Sequence, residues 1–255
     1  MTTPVEIAVD DRILRIRLTR PEKKNALTPA MYAALAEAFA GADRDPGVRV
    51  VLIGGTGDAF CSGNDVGTFV DRPALDAGSP VQRFMEALAT LEKPLVAAVN
   101  GMAVGIGATM LLHCDLVLGA RRARVRFPFA DLGVVPEAAS SLLLPRLIGQ
   151  RRATELFLLG DWVDAETALA IGLFNRVVDD EALDAEALGL ARRLAAKPPA
   201  ALRATKAMTR DGLPPLVERL RHEAPIFDHM LRSPEAQEAF TAFLEKRKPD
   251  FTRFT

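Results

Sequence analysis

An α/β fold closed by an all-helical C-terminal region is what the sequence predicts, on three observations. Short buried-strand patterns alternate with helical patterns as far as about residue 178. Beyond Asp180 the pattern turns helical almost throughout. The 255 residues, 49% hydrophobic and 25% charged, suffice to bury a core without disulfide staples.

The elements follow in order. Residues 13–19 alternate apolar and polar in their second half, the mark of a half-buried strand. Thr28-Pro29 opens a helix, with Thr28 as side-chain N-cap and Pro29 at the first helical position. Met31, Leu35, Ala38 and Phe39 follow at helical spacing. Residues 48–53 form a short apolar run bounded by glycines and predict a buried strand. Residues 71–80, rich in Asp, Pro and Gly, read as a mobile loop. A helix over 81–91 precedes a second buried strand over 95–99, and a third strand, 115–118, follows an apolar helix over 107–113. Helices are predicted over 181–196, 199–209, 214–231 and 234–247. The switch near residue 180 has no linker-like composition, so the helical end reads as a packed appendage.

Charge and cysteine usage narrow the function classes. Lys plus Arg is 32 and Asp plus Glu is 33, a balance that argues against nucleic acid as a partner. Cys61 and Cys114 cannot make a disulfide framework, and with three histidines they make a poor metal set. Both are expected to be free thiols, with no metal and no separate cofactor. Residues 1–10 carry neither a basic nor an apolar leader segment, so a cytoplasmic protein is expected. The apolar stretch over 94–114 is interrupted by Asn100, Gly101, Gly105 and Gly107, which makes it a strand, a turn and a helix rather than a membrane span.

Generic catalytic patterns mostly fail. Gly105-Ile106-Gly107 starts like a dinucleotide fingerprint but lacks the third glycine, and there is neither a phosphate-binding Gly-Lys-Ser/Thr nor a G-x-S-x-G elbow. A triad of Ser62, His113 and Asp115 is conceivable, but His113 reads more simply as the end of a buried helix. His222 and His229 fall on a polar helix and are expected in solvent. Two glycine-containing segments remain, 59–65 and 100–107, each following a buried strand. Each alone fits an ordinary tight turn. The second also places free N–H groups at a helix start, a favourable place for negative charge. Two such amides facing one another would form an oxyanion hole.

These segments belong to a wider pattern. Thr19-Arg20-Pro21-Glu22-Lys23-Lys24-Asn25-Ala26-Leu27, residues 60–65, 93–115, 160–177 and 243–248 stand in the order and spacing of the crotonase superfamily, and the chain resembles its enoyl-CoA hydratase/isomerase family over nearly its whole length. The resemblance implies a spiral of ββα repeats over 1–180 carrying the active site. It also implies a helical region over 181–255 that oligomerises and closes over the ligand, giving a homotrimer or homohexamer. The substrate it implies is an acyl-CoA thioester, with coenzyme A as part of the substrate.

It further implies that the backbone N–H groups of Asn64 and Ile106 form the oxyanion hole. A hydratase of this family uses two glutamates; their positions here hold Thr109 and Phe129. Glu137, in Val134-Val135-Pro136-Glu137-Ala138-Ala139, stands where Δ3,Δ2-enoyl-CoA isomerases carry a single catalytic glutamate. The apolar neighbours should raise its pKa, which suits a group that both takes and returns a proton. The plain alternative is a first-turn helix glutamate. Asp131 is a nearby second acid, more simply a surface residue. Lys24, Ala26, Ser62, Gly63, Asp65, Val66 and Gly105 are implied to line the coenzyme A path. Phe227, Phe243 and Lys246 match positions that reach the ligand from a neighbouring subunit. Other readings stay open: hydration or another crotonase-type reaction on an acyl-CoA, and an inactive CoA-binding protein.

Overall fold

The structure, a computed structural model, describes residues 4–68, 78–210, 216–252 and 254. The chain starts with a hairpin. Strands β1 (Val5–Asp10) and β2 (Ile13–Leu18) pair antiparallel through Asp11 and Arg12, both left-handed at φ 51° and 63°. Helix α1 (Pro29–Arg44) begins as its sequence predicts, with the Thr28 hydroxyl accepting from the Met31 N–H and Pro29 in the first turn.

From there each unit sends one strand to a large sheet and the next to a small one. The pairs are β3 (Val50–Gly55) with β4 (Ala59–Cys61), β5 (Leu95–Val99) with β6 (Met102–Val104), and β7 (Leu116–Ala120) with β8 (Arg124–Arg126). Between them lie α2 (Pro80–Thr90) and α3 (Ile106–Thr109), the latter continuing as a 3-10 turn over Met110–His113. Then come α4 (Ser140–Ile148), α5 (Gln150–Leu159), β9 (Val163–Asp164), α6 (Ala165–Ala170) and β10 (Arg176–Val178). The large sheet runs β1-β2-β3-β5-β7-β10 and the small one β4-β6-β8-β9. From β2 to β10 every large-sheet pairing is parallel. This is the spiral of ββα units that the resemblance implied. It explains why β3 and β5 read as continuous apolar runs: every residue in both is buried. The helical end follows as α7 (Leu183–Ala195), α8 (Pro199–Thr209), α9 (Leu216–Leu231) and α10 (Pro234–Leu244).

Several boundaries move. The helix expected over 107–113 is one α-turn followed by a 3-10 turn, and strand β7 runs two residues beyond its predicted end at 118. Residues 71–77 of the predicted loop, and residues 214–215 of the predicted helix over 214–231, lie outside the described residues. Ser79 caps α2 by accepting from the Gln82 N–H.

The core lies between the large sheet and its helices. Phe84 of α2 packs edge-on to Tyr32 of α1, ring centroids 5.3 Å apart, and lies 5.9 Å from Phe39. All three rings are fully buried. Truncating Phe84 to alanine removes the ring that pins α2 to α1 and leaves a cavity, a loss of about 3–5 kcal/mol. Urea unfolding of Phe84→Ala should show a midpoint reduced accordingly; an unchanged midpoint would mean that α2 is not held there.

Candidate active site

The two glycine-containing segments lie side by side at the ends of β4 and β6. The first is stitched to the N-terminal motif: Leu27 N–H donates to Gly63 C=O at 2.8 Å and Asp65 N–H to Leu27 C=O at 3.0 Å. This is a parallel bridge between Leu27 and Asn64. Such a bridge uses the groups of residues 63 and 65, so the Asn64 N–H points away from Leu27. The Asn64 side chain is fixed separately by the Tyr32 hydroxyl, which donates to Oδ1 at 2.6 Å.

The second segment turns at Gly105, φ 55° and ψ −122°, a conformation that requires glycine. Ile106 is the first residue of α3, so no carbonyl one turn earlier can accept its N–H. A Cβ at Gly107 would sit 2.3 Å from the Cys61 carbonyl oxygen, and one at Gly105 would sit 4.0 Å from Gly63 Cα. The close approach of the loops thus requires glycine at 107, whereas at 105 it is the backbone conformation, not the contact, that requires it. The expected helix field is a different matter: α3 has four residues, so what it offers is a free amide rather than a macrodipole.

Both segments line one cavity of about 620 Å³, through Ser62, Gly63, Asn64 and Val66 on one side and Gly105 and Ile106 on the other. Glu137 lines it as well, and also borders a smaller pocket of about 40 Å³ between α2 and α9. The Glu137 side chain is buried, as are Val134, Ala138 and Ala139 beside it. The Thr109 hydroxyl donates to Oε1 at 2.6 Å, while buried Oε2 has no hydrogen-bond partner. Burial drives the Glu137 pKa up to about 8; the Thr109 bond opposes this, and the nearby Glu223 carboxylate adds to it. The first-turn reading of Glu137 does not hold, since α4 starts only at Ser140.

The chain aims Glu137 through a strained turn. Ala138 and Ala139 are both left-handed, φ 56° and 57°, at about 1–3 kcal/mol each for a non-glycine residue. His113 Nε2 lies 2.7 Å from the Ala138 carbonyl oxygen. A carbonyl only accepts, so Nε2 carries the hydrogen, and burial lowers the His113 pKa to about 4, keeping the ring neutral. From α9, Glu223 accepts from the Ala139 N–H at 2.6 Å and from the N–H and hydroxyl of Ser141. Burial raises the Glu223 carboxyl and these donors oppose it. Sequence reasoning missed Glu223. Its signal is a carboxylate in the apolar stripe Leu220, Glu223, Phe227, Leu231, all buried.

The remaining sequence-predicted residues divide. Phe227 and Phe243 line the cavity of their own chain. Lys24, Ala26, Asp65 and Lys246 are not among its described lining residues. Lys24 pairs with Asp58 at 2.5 Å, and Asp65 pairs with Arg20 at 2.5 Å. Ala26 is buried beneath the first loop, and Lys246 is exposed while its neighbours Arg247 and Lys248 reach the cavity instead. Asp131 sits at the mouth, paired with Arg126 at 2.9 Å and half exposed. Phe129 forms part of the wall.

No Ser62–His113–Asp115 triad assembles: the Ser62 hydroxyl donates to Lys23 C=O at 3.3 Å, and Asp115 pairs with Lys206 at 2.7 Å. His222 and His229 are exposed. Cys61 and Cys114 are free thiols; burial pushes Cys61 up to about 12 and raises Cys114 further. Among the described residues no group of three or more His, Cys, Asp or Glu side chains could hold a metal, and no helix is long and apolar enough to cross a membrane.

Known proteins share this architecture. The chain is 39% identical to the 1,2-epoxyphenylacetyl-CoA isomerase of Escherichia coli, over 96% of each protein. It is 32% identical to the crotonyl-CoA hydratase of Syntrophomonas wolfei, over 95% of each. The crystal structure of an enoyl-CoA hydratase/isomerase from Pseudoalteromonas atlantica superimposes with a TM-score of 0.93 at 41% identity, covering 97% of this chain and 99% of that one. A sequence model of the enoyl-CoA hydratase/isomerase family matches residues 9–253. With the ββα spiral, the paired glycine loops and a match across nearly its full length, the chain belongs to the enoyl-CoA hydratase/isomerase family.

Proposed function

We propose that this acyl-CoA enzyme is an isomerase that moves a double bond from C3=C4 to C2=C3 of an enoyl-CoA. The observation that carries this reading is Glu137, the one buried carboxylate among the described residues that line the larger cavity, with one oxygen held by Thr109 and the other unpartnered. The ionised carboxylate takes a proton from C2, and the electron pair moves onto the thioester oxygen. The Asn64 and Ile106 amides hold the oxygen as it gains charge. Glu137 then returns the proton to C4, the C3=C4 electrons forming the new C4–H bond as the enolate collapses to C2=C3. One carboxylate does both transfers, and its raised pKa brings donor and acceptor roles into balance near neutral pH. Hydration would need a second group to activate water, and Thr109 and Phe129 occupy those positions.

The same reading places the coenzyme A portion along the first loop, with Lys24, Ala26, Asp65 and Lys246 at its outer end. It assigns a homotrimer or dimer of trimers in the cytoplasm. Sedimentation should give a trimer's mass or a multiple of it, and a monomer at micromolar concentration would contradict that assignment.

Incubation with a 3-enoyl-CoA and with a 2-enoyl-CoA, followed by product analysis, separates the reactions. Interconversion of the two supports isomerisation. A 3-hydroxyacyl-CoA as main product assigns a hydratase, and CoA binding without turnover assigns a binding protein.

The Thr109 bond has its own consequence. It favours the ionised form of Glu137, so its removal raises the pKa further. The ionised form is the base, so activity rises with pH through that pKa. In Thr109→Val the acid limb of kcat/KM should therefore move to higher pH, from a wild-type position near 8. A limb that stays in place would remove Glu137 as the titrating base.

A further inference from the structure

We propose that Glu223, assisted by His113, is a positioning residue that holds the left-handed Ala138–Ala139 turn and so aims the free oxygen of Glu137 into the cavity. The proposal rests on the assignment of Glu137 as the base. Two successive non-glycine residues at φ 56° and 57° are not a conformation that alanine selects by itself. Local sequence offers no glycine, asparagine or aspartate to ease it. The turn persists through contacts from outside. The Ala138 carbonyl is taken by His113, which follows the second oxyanion segment, and the Ala139 N–H by Glu223, 84 residues away on α9. The second Glu223 oxygen accepts from the Ser141 N–H, so the carboxylate grips the turn and the first turn of α4 together. One helical turn beyond Glu223, Phe227 forms part of the cavity wall. Docking of α9 therefore closes the wall and sets the carboxylate at once.

An ordinary helix cap would affect stability alone. A positioning residue predicts more, because Glu223 also adds negative charge beside Glu137. The other titratable groups around Glu137 are Cys61 on β4, a protonated thiol, and His113, which is neutral; Arg219 on α9 acts on Glu223 itself. Glu223 is thus the neighbour whose charge can be removed.

The test compares wild type, Glu223→Gln, Ala139→Gly and the double variant. Glu223→Gln should lower kcat for isomerisation by up to about 100-fold through misplacement of the base, with KM little changed. Its Glu137 pKa, read by carbon NMR on glutamate-labelled protein and assigned with Glu137→Gln, should fall. In the double variant glycine adopts the left-handed conformation at 139 unaided, while His113 still holds Ala138, so kcat should recover in large part while the pKa stays low. A Glu223→Gln protein with lower thermal stability but unchanged kcat and Glu137 pKa would overturn the proposal. Ala139→Gly alone should keep wild-type kcat; a loss there, or no rescue in the double variant, would also overturn it. If instead wild type fails to isomerise while the Glu137 pKa still falls in Glu223→Gln, the functional reading has failed and the structural coupling stands.

Discussion

Glu137→Gln is expected to lower isomerisation by roughly 10²–10⁴-fold, the worth of a well-placed acid/base group. Glutamine keeps the size of the side chain and can still accept from Thr109, but it cannot take a proton. Coenzyme A affinity should barely change, because the proposed contacts to that part of the substrate lie on the first loop. A second signature follows from the raised pKa. The folded protein holds the Glu137 proton up to about pH 8, whereas an unfolded glutamate releases it near its ordinary value of 4.5. The stability that this buried group contributes is present below that ordinary value and is lost as pH rises towards 8. Glutamine has no such loss. Thermal melts should therefore nearly coincide at pH 4 and separate by pH 9, with Glu137→Gln the more stable. Near-normal isomerase activity in this variant would remove Glu137 from the mechanism and point to Asp131 or to a different reaction.

Ile106→Pro should lower kcat by about 10²–10³-fold, corresponding to one oxyanion donor. Backbone donors are ordinarily beyond the reach of substitution, but Ile106 is the first residue of α3, where proline is tolerated. The glycine before it already has the mirror-image extended conformation that suits a residue preceding proline. The change thus deletes the N–H while keeping the turn. Ile106 is buried, so lost side-chain packing must be separated from the lost donor. Ile106→Val keeps the amide and trims one methylene, and it should retain most activity at a stability cost of about 0.5–1.5 kcal/mol. Equal activity losses in the two variants would assign the effect to packing and contradict the role of the amide.

Local signals in the sequence carried far. The cap at Thr28, the apolar runs of β3 and β5 and the helical end all rest on contacts within a few residues, so pattern suffices to read them. Strand β1 escaped because five of its six residues are exposed and its turn uses Asp11-Arg12 instead of a glycine pair. The small sheet escaped because its strands have two or three residues, too few to show a period. At the site, Asn64, Ile106 and Glu137 were legible through their motifs, and the structure brings all three to one cavity. The partners that fix them were not: Thr109 meets Glu137 across 28 residues and Glu223 meets Ala139 across 84. Nor does a lysine's charge reveal its destination, which for Lys24 is Asp58.

The most direct test is a crystal structure with a non-isomerisable enoyl-CoA analogue bound. The proposed mechanism places the thioester oxygen within hydrogen-bond distance of both the Asn64 and Ile106 N–H groups. It places Glu137 Oε2 about 3–3.5 Å from both C2 and C4, on one face of the acyl chain. A thioester oxygen bound elsewhere, or Asp131 rather than Glu137 over C2 and C4, would contradict it.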